Sequence, residues 1–137
     1  MNQFNDFLSK KLLNLPFNLN NIIKAFLDLN QESRVAIVGG YTRDLLIQEI
    51  HNKKKIHPID LDFVIEGSAL SLAKYIKQNI QNVELCLIKE FDMYNTVEMN
   101  INNTKVDIAS AREEIYTSPG SNPQVKKSTI ENDLKRR

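Results

Sequence analysis

The chain has 137 residues, 42% of them apolar and 26% charged, with one cysteine and a net charge of +1; that suits one globular domain with a buried core and excludes a disordered or fibrous chain. Near-neutral charge excludes a global field for nucleic acid or membrane, so any basic surface has to be local, at Lys53-Lys54-Lys55 or Lys135-Arg136-Arg137. The lone Cys86, set in an apolar run, excludes a disulfide framework, and no run of membrane-spanning length or signal-peptide character is present, so a reducing cytoplasmic setting away from membranes is expected.

Phe4, Phe7, Leu8, Leu12 and Leu15 recur at helical spacing ahead of Pro16, and Leu19, Ile22, Ile23, Phe26 and Leu27 repeat the stripe behind it. Two amphipathic helices broken at the proline are predicted. Val35-Ala36-Ile37-Val38 reads as a short buried strand that enters Gly39-Gly40, after which a helix opens at Tyr41. Glycines at such a junction let backbone N–H groups and the helix start face an anion, and Arg43 adds a planar fork suited to phosphate oxygens. The same pair also makes a plain tight turn. His51 to Pro58 is a polar, basic loop. His51 and His57 lie in it without a third ligand beside them, so no zinc site is read there.

Asp60-Leu61-Asp62-Phe63-Val64-Ile65 is an apolar strand broken by two carboxylates at positions i and i+2, which share one face of a strand. Leu61, Phe63 and Ile65 then face a core. Two like charges so close repel unless a cation lies between them, and a hard divalent ion such as Mg²⁺ takes one or two carboxylates together with substrate phosphates. Gly67-Ser68 closes the strand, and Leu72, Ala73, Ile76 and Ile80 form the stripe of a helix capped by Ser68 or Ser71. With a strand through Ile88, the order is strand, helix, strand, helix, strand, with helices of crossover length and an α/β layer as the expected outcome.

Thr96 to Ile101 and Lys105 to Ala109 alternate cleanly around Asn102-Asn103, a pair suited to a two-residue hairpin turn. That turn sets Ile101 against Thr104, Met99 against Val106 and Val97 against Ile108. It also sets Glu98 opposite Asp107, a second acidic pair that needs a compensating cation or arginine. Either both carboxylates lie on a wet sheet face, or Asp107 joins Asp60 and Asp62 as a third metal ligand. Tyr116 to Pro123 is a loop by composition. Ser128-Thr129-Ile130-Glu131 is a capping-box pattern opening a short helix through Asp133, Arg136 and Arg137, and the sequence reads as though cut inside that element.

In order, Val38-Gly39-Gly40-Tyr41-Thr42-Arg43-Asp44, Ile59-Asp60-Leu61-Asp62-Phe63-Val64, Val106-Asp107-Ile108-Ala109-Ser110-Ala111-Arg112-Glu113-Glu114-Ile115-Tyr116 and Asp133-Leu134-Lys135-Arg136-Arg137 resemble the head domain of the bacterial tRNA nucleotidyltransferase and poly(A) polymerase family, the second class of CCA-adding enzymes. The resemblance implies an α+β palm of the DNA polymerase beta kind. Its mixed, mostly antiparallel sheet would have about five strands with flanking helices, forming a head at 31–137 on which the N-terminal helical segment read above, residues 1–30, would pack. It implies two-metal transfer of CMP or AMP from CTP or ATP to the 3′ end of tRNA. Poly(A) synthesis, a small stand-alone nucleotidyltransferase with a non-RNA acceptor, and a non-catalytic nucleotide-binding remnant are the alternatives. Carried over position by position, Asp60 and Asp62 would hold Mg²⁺ with Asp107 as third carboxylate. Gly39, Gly40 and Arg43 would contact the triphosphate, and Arg112, Arg136 and Arg137 would lie near the nucleotide. Thr42 replaces the family's valine, and Met93-Tyr94-Asn95-Thr96 replaces its Phe-Gly-Thr loop. The neck that selects the base, and the body and tail that grip tRNA, have no counterpart in these 137 residues.

Overall fold

The structure, a computed structural model, describes residues 15–51, 60–81, 86–91 and 95–137. The predicted first helix, the lysine-rich loop with His57, the start of the strand before Cys86, the Cys86 side chain and Met93-Tyr94 lie outside the described residues.

Five strands form one sheet in the order β1-β2-β5-β4-β3: β1 Arg34–Val38, β2 Asp60–Glu66, β3 Cys86–Phe91, β4 Thr96–Ile101 and β5 Thr104–Ser110. The β2–β5 pair is parallel and the other three pairs are antiparallel, so the sheet is mixed and mostly antiparallel as expected. The crossover reading fails at one place. β1 and β2 flank a helix yet pair antiparallel, Val38 beside Asp62 and Arg34 beside Glu66. Helical periodicity gives the order of elements but not the end of the sheet at which the next strand re-enters.

The β4–β5 hairpin has the predicted register, Ile101 on Thr104, Met99 on Val106 and Glu98 on Asp107. Asn102 and Asn103 adopt φ of 45° and 68°, the left-handed pair that matches the strands' twist. One face of the sheet carries Leu61, Phe63, Ile65, Val97, Met99, Ile101, Val106 and Ile108, all buried. It packs with the buried stripes of α1 (Leu19–Leu29: Leu19, Ile22, Ile23, Phe26) and α3 (Ala69–Asn79: Leu72, Ala73, Ile76). Each such side chain contributes roughly 1.5–3 kcal/mol on burial, which fixes the strand register, because a one-residue slip would turn the whole set to water. Pro16 sits at the start of a single 3₁₀ turn, Pro16–Asn18, ahead of α1, and Ser68 caps α3 by accepting from the Ser71 amide at 3.1 Å.

The other face is polar at one end. Along it run Asp60, Asp62, Val64 and Glu66 on β2, beside Lys105, Asp107 and Ala109 on β5. Val64 with Ala111 and Ile130 makes a second, smaller apolar cluster there. Ile130 opens α4 (Ile130–Arg136), and α4 packs against β6 (Arg112–Ile115), which pairs with β7 (Gln124–Lys127) as a separate ribbon. Composition gave no sign of this ribbon, since Arg-Glu-Glu-Ile and Gln-Val-Lys-Lys lack alternating apolar residues, and Glu113 lies opposite Lys126 in its register. The capping box is shifted by one residue: Thr129 is the cap, accepting from the Asn132 amide at 3.2 Å, while Glu131 bonds Arg34. Helix α2 (Gly40–His51) follows β1 directly and packs against β1 and β2.

Candidate active site

A cleft of about 610 Å³ opens on the polar face, and Gly39, Asp62, Asp107, Arg112, Arg136 and Arg137 all line it. Asp62 and Asp107 are register partners on parallel strands, so both carboxylates leave the same face one strand apart. Gly39 follows β1 beside them with φ of +79°, and a Cβ placed on it would stand 2.6 Å from Asp62 Oδ2. The glycine is therefore required twice, by its left-handed backbone and by the approach of the carboxylate. The three arginines reach the cleft because Ile130 docks α4 on the polar face and Ala111 leads β6 away from β5.

Asp107 and Glu114 have named cationic partners. Lys105 Nζ lies 3.2 Å from Asp107 Oδ2 and 3.7 Å from Glu98 Oε2. That supplies the cation the Glu98–Asp107 pair demands, and the hydrogen bond to Asp107 raises the Lys105 pKa. Burial raises the Asp62 pKa, reinforced by the charges of Asp107 and Asp60 and opposed by Lys105 and Arg137. Across the cleft, Glu114 Oε1 holds Arg112 at 2.7 Å and Arg136 at 3.2 Å, and its Oε2 accepts from the Tyr116 hydroxyl at 2.8 Å. The Tyr116 hydrogen bond, followed by the two arginines, holds the Glu114 carboxyl below its ordinary range.

Oδ1 of Asp107 is buried with no hydrogen-bond partner among the described residues. Such an atom costs about 1–3 kcal/mol unless something satisfies it. Beside Asp62, a divalent cation with oxygen ligands fits, which suits Mg²⁺. Among the described residues, however, no three His, Cys, Asp or Glu side chains stand together as a ready ligand set. Asp62 and Asp107 form the close pair. Asp60 shares their face, next to Lys105 in register, but is exposed and outside the cleft lining. Gly40 and Arg43 open α2 next to Gly39 without lining the cleft. The Arg43 guanidinium is exposed, with Nε 3.2 Å from Asp44.

Residues 35–137 match the poly(A) polymerase head domain. The chain belongs to that family. This head domain is 36% identical over 105 residues to the A-adding tRNA nucleotidyltransferase of Aquifex aeolicus, which covers 76% of the chain and 11% of that relative. Against the A-adding tRNA nucleotidyltransferase of Halalkalibacterium halodurans it is 38% identical over 102 residues, 74% of the chain and 21% of the relative. The head domain superposes on the structure of a CCA-adding enzyme in an apo form with a TM-score of 0.66 and 33% identity, over 93% of this chain and 29% of that one. A complex of CCA-adding enzyme with ATP gives 0.56 and 31%, over 74% and 23%. The head domain thus spans between 11% and 21% of the length of these two curated relatives.

Asp133, Glu114 and Lys105 pair with charged residues of the cleft without lining it, and sequence reasoning did not single them out. An Asp three and four positions before two arginines on a short helix was the available signal for Asp133, since those spacings share a helix face.

Proposed function

We propose that the chain is the head of a template-independent RNA nucleotidyltransferase that moves AMP or CMP from ATP or CTP to the 3′ end of tRNA by two-metal chemistry. Residues 31–137 would form the catalytic head, and residues 1–30 a helical segment packed on it. The observation that carries this reading is the register pairing of Asp62 with Asp107 beside Gly39, facing three arginines across one cleft. An acidic wall opposite a basic one suits a nucleoside triphosphate, with phosphates towards the guanidinium forks and the reacting α-phosphorus near the carboxylates.

In the reaction, the RNA 3′ oxygen forms a bond to the α-phosphorus, the bond from that phosphorus to the α,β-bridging oxygen breaks, pyrophosphate leaves, and the hydroxyl proton passes to solvent. Bound divalent cations would lower the pKa of the hydroxyl and neutralise charge on the leaving oxygens. Asp62 and Asp107 would hold them, with Asp60 adding a carboxylate from the same strand face. Arg112, Arg136 and Arg137 would fix the triphosphate, and the Gly39-Gly40 corner with Arg43 would offer amides and a fork at the helix start. The relatives named above as A-adding favour AMP, so both nucleotides belong in the assay.

The test is incubation of the chain with labelled ATP or CTP, Mg²⁺ and tRNA lacking its terminal nucleotides, beside Asp62→Ala. Label should enter tRNA with the unaltered chain sparingly and without processive synthesis, and fall at least 10²-fold in the variant, with its circular dichroism spectrum unchanged. Transfer that survives Asp62→Ala refutes the assignment. Label entering a protein or small molecule instead of RNA identifies a different acceptor.

A further inference from the structure

Among the described residues, Asp133 is the charged side chain that is fully buried, at 0% exposure. Its carboxylate meets three donors from two elements: the Arg137 Nε at 2.5 Å, the Arg112 backbone N–H at 2.9 Å and the Arg136 Nη2 at 3.4 Å. A buried carboxylate is tolerated only when its lone pairs are taken up by donors, and removing a partner leaves an uncompensated charge. The pairing therefore constrains the donors as much as it stabilises the acid.

We propose that Asp133 is a positioning residue that sets the triphosphate-binding arginines. It would hold Arg136 on α4, Arg137 at the helix cap and the first residue of β6 in one arrangement against the cleft. This rests on the functional reading above and extends it to a residue that no substrate can touch, because the carboxylate is sealed beneath the arginines. Three features support the assignment. The donors are Arg136 in the last turn of α4, Arg137 at its C-terminal cap and the amide of Arg112, and all three residues line the cleft. Glu114 completes the frame by bridging Arg112 and Arg136 at 2.7 and 3.2 Å. A guanidinium has five N–H donors, and holding Arg137 through Nε leaves both Nη groups chemically available to phosphate oxygens. An arginine fixed in place beforehand binds an anion without losing its own rotamer freedom on binding.

The experiment measures binding of inorganic tripolyphosphate to the whole chain by titration calorimetry in EDTA, which keeps metal out of the result. Asp133→Asn should weaken binding on the order of tenfold, near the effect of Arg137→Ala, since charge-assisted bonds that fix the forks are lost. In transfer assays it should raise KM for ATP while kcat stays within about twofold. If Arg137→Ala loses binding and a folded Asp133→Asn does not, the positioning role is wrong while the arginine site stands. If neither the unaltered chain nor Arg136→Ala and Arg137→Ala differ in tripolyphosphate affinity, the functional reading of the cleft fails with it. Should Asp133→Asn not fold, Asp133→Glu decides: it keeps the charge and leaves all three arginines intact but moves the carboxylate by one methylene. An affinity equal to that of the unaltered chain overturns the proposal, and a several-fold loss in the folded variant supports it.

Discussion

Replacing Gly39 with alanine perturbs backbone and site together, and the structure separates the two effects. At φ of +79° a Cβ is strained, at a cost of about 1–2 kcal/mol. The same Cβ would meet Asp62 Oδ2 at 2.6 Å, so reaching an ordinary contact of 3.4 Å requires the carboxylate to move about 0.8 Å. A displacement near 1 Å in a site built on positioning costs on the order of 10²-fold in rate. Gly120 is the control, with φ of +76° and nothing within 4 Å of an added Cβ. Gly120→Ala should lose about 1–2 kcal/mol of stability through backbone strain alone, and its transfer rate and Mn²⁺ affinity should not change. Gly39→Ala should show a similar drop in melting temperature together with the ~10²-fold loss of transfer and weaker Mn²⁺ binding. Calorimetry and a transfer assay with ATP labelled in its AMP moiety on the two variants are sufficient. If both variants lose activity equally, or Gly39→Ala keeps Mn²⁺ affinity and rate, the carboxylate beside Gly39 is not where the chemistry is organised.

Two further predictions concern pH. Burial and the neighbouring carboxylates raise the Asp62 pKa above its ordinary 3.8, so its ionisation opposes folding. That penalty is absent below the ordinary value and grows as pH rises through the raised one. Asp62→Asn should therefore melt higher than the unaltered chain at pH 7 without metal and show no gain at pH 3; a gain at pH 3, or none at pH 7, contradicts the repulsion described. Arg34 bonds both Glu66 and Glu131 and holds the Glu131 carboxyl down from 4.5 to about 2. Depressed carboxyl groups stabilise the fold above their ordinary range and lose that contribution as pH falls through the folded value. Arg34→Ala should lower the melting temperature at pH 7 and flatten its fall between about pH 4.5 and 2, an effect that added salt diminishes. An unchanged slope over that window would mean that the bridge from β1 and β2 to α4 contributes nothing to stability.

The hairpin illustrates what could be read in advance. Alternation over Thr96–Ile101 and Thr104–Ser110 with two asparagines between them permits a single register in which both apolar faces meet, and that register also sets Glu98 against Asp107. The Asp62–Asp107 pairing lay beyond the same logic, because nothing local says which strand becomes the parallel neighbour of β2. The ribbon of β6 and β7 was illegible because its strands are four residues each and lack a buried face of their own. The helix cap was misplaced by one residue because Ser128 and Thr129 are both competent caps. Glu131 takes Arg34 as its partner, and the amide of Ile130 is met by Glu66 at 2.7 Å.

Short-range physics was enough to specify the strands and helices of the core, the hairpin turn, the glycine corner and the presence of paired carboxylates on β2, because side-chain period and backbone conformational limits act over a few residues. Only the tertiary structure decided that β2 is flanked by β1 on one side and β5 on the other, that Asp60 stays outside the cleft while Asp107 enters it, and that Asp133 lies buried beneath three arginines. Those outcomes depend on which distant segments meet. That is settled by burying the apolar face of the sheet and the Val64, Ala111 and Ile130 cluster at the same time, a condition no stretch of this chain meets alone.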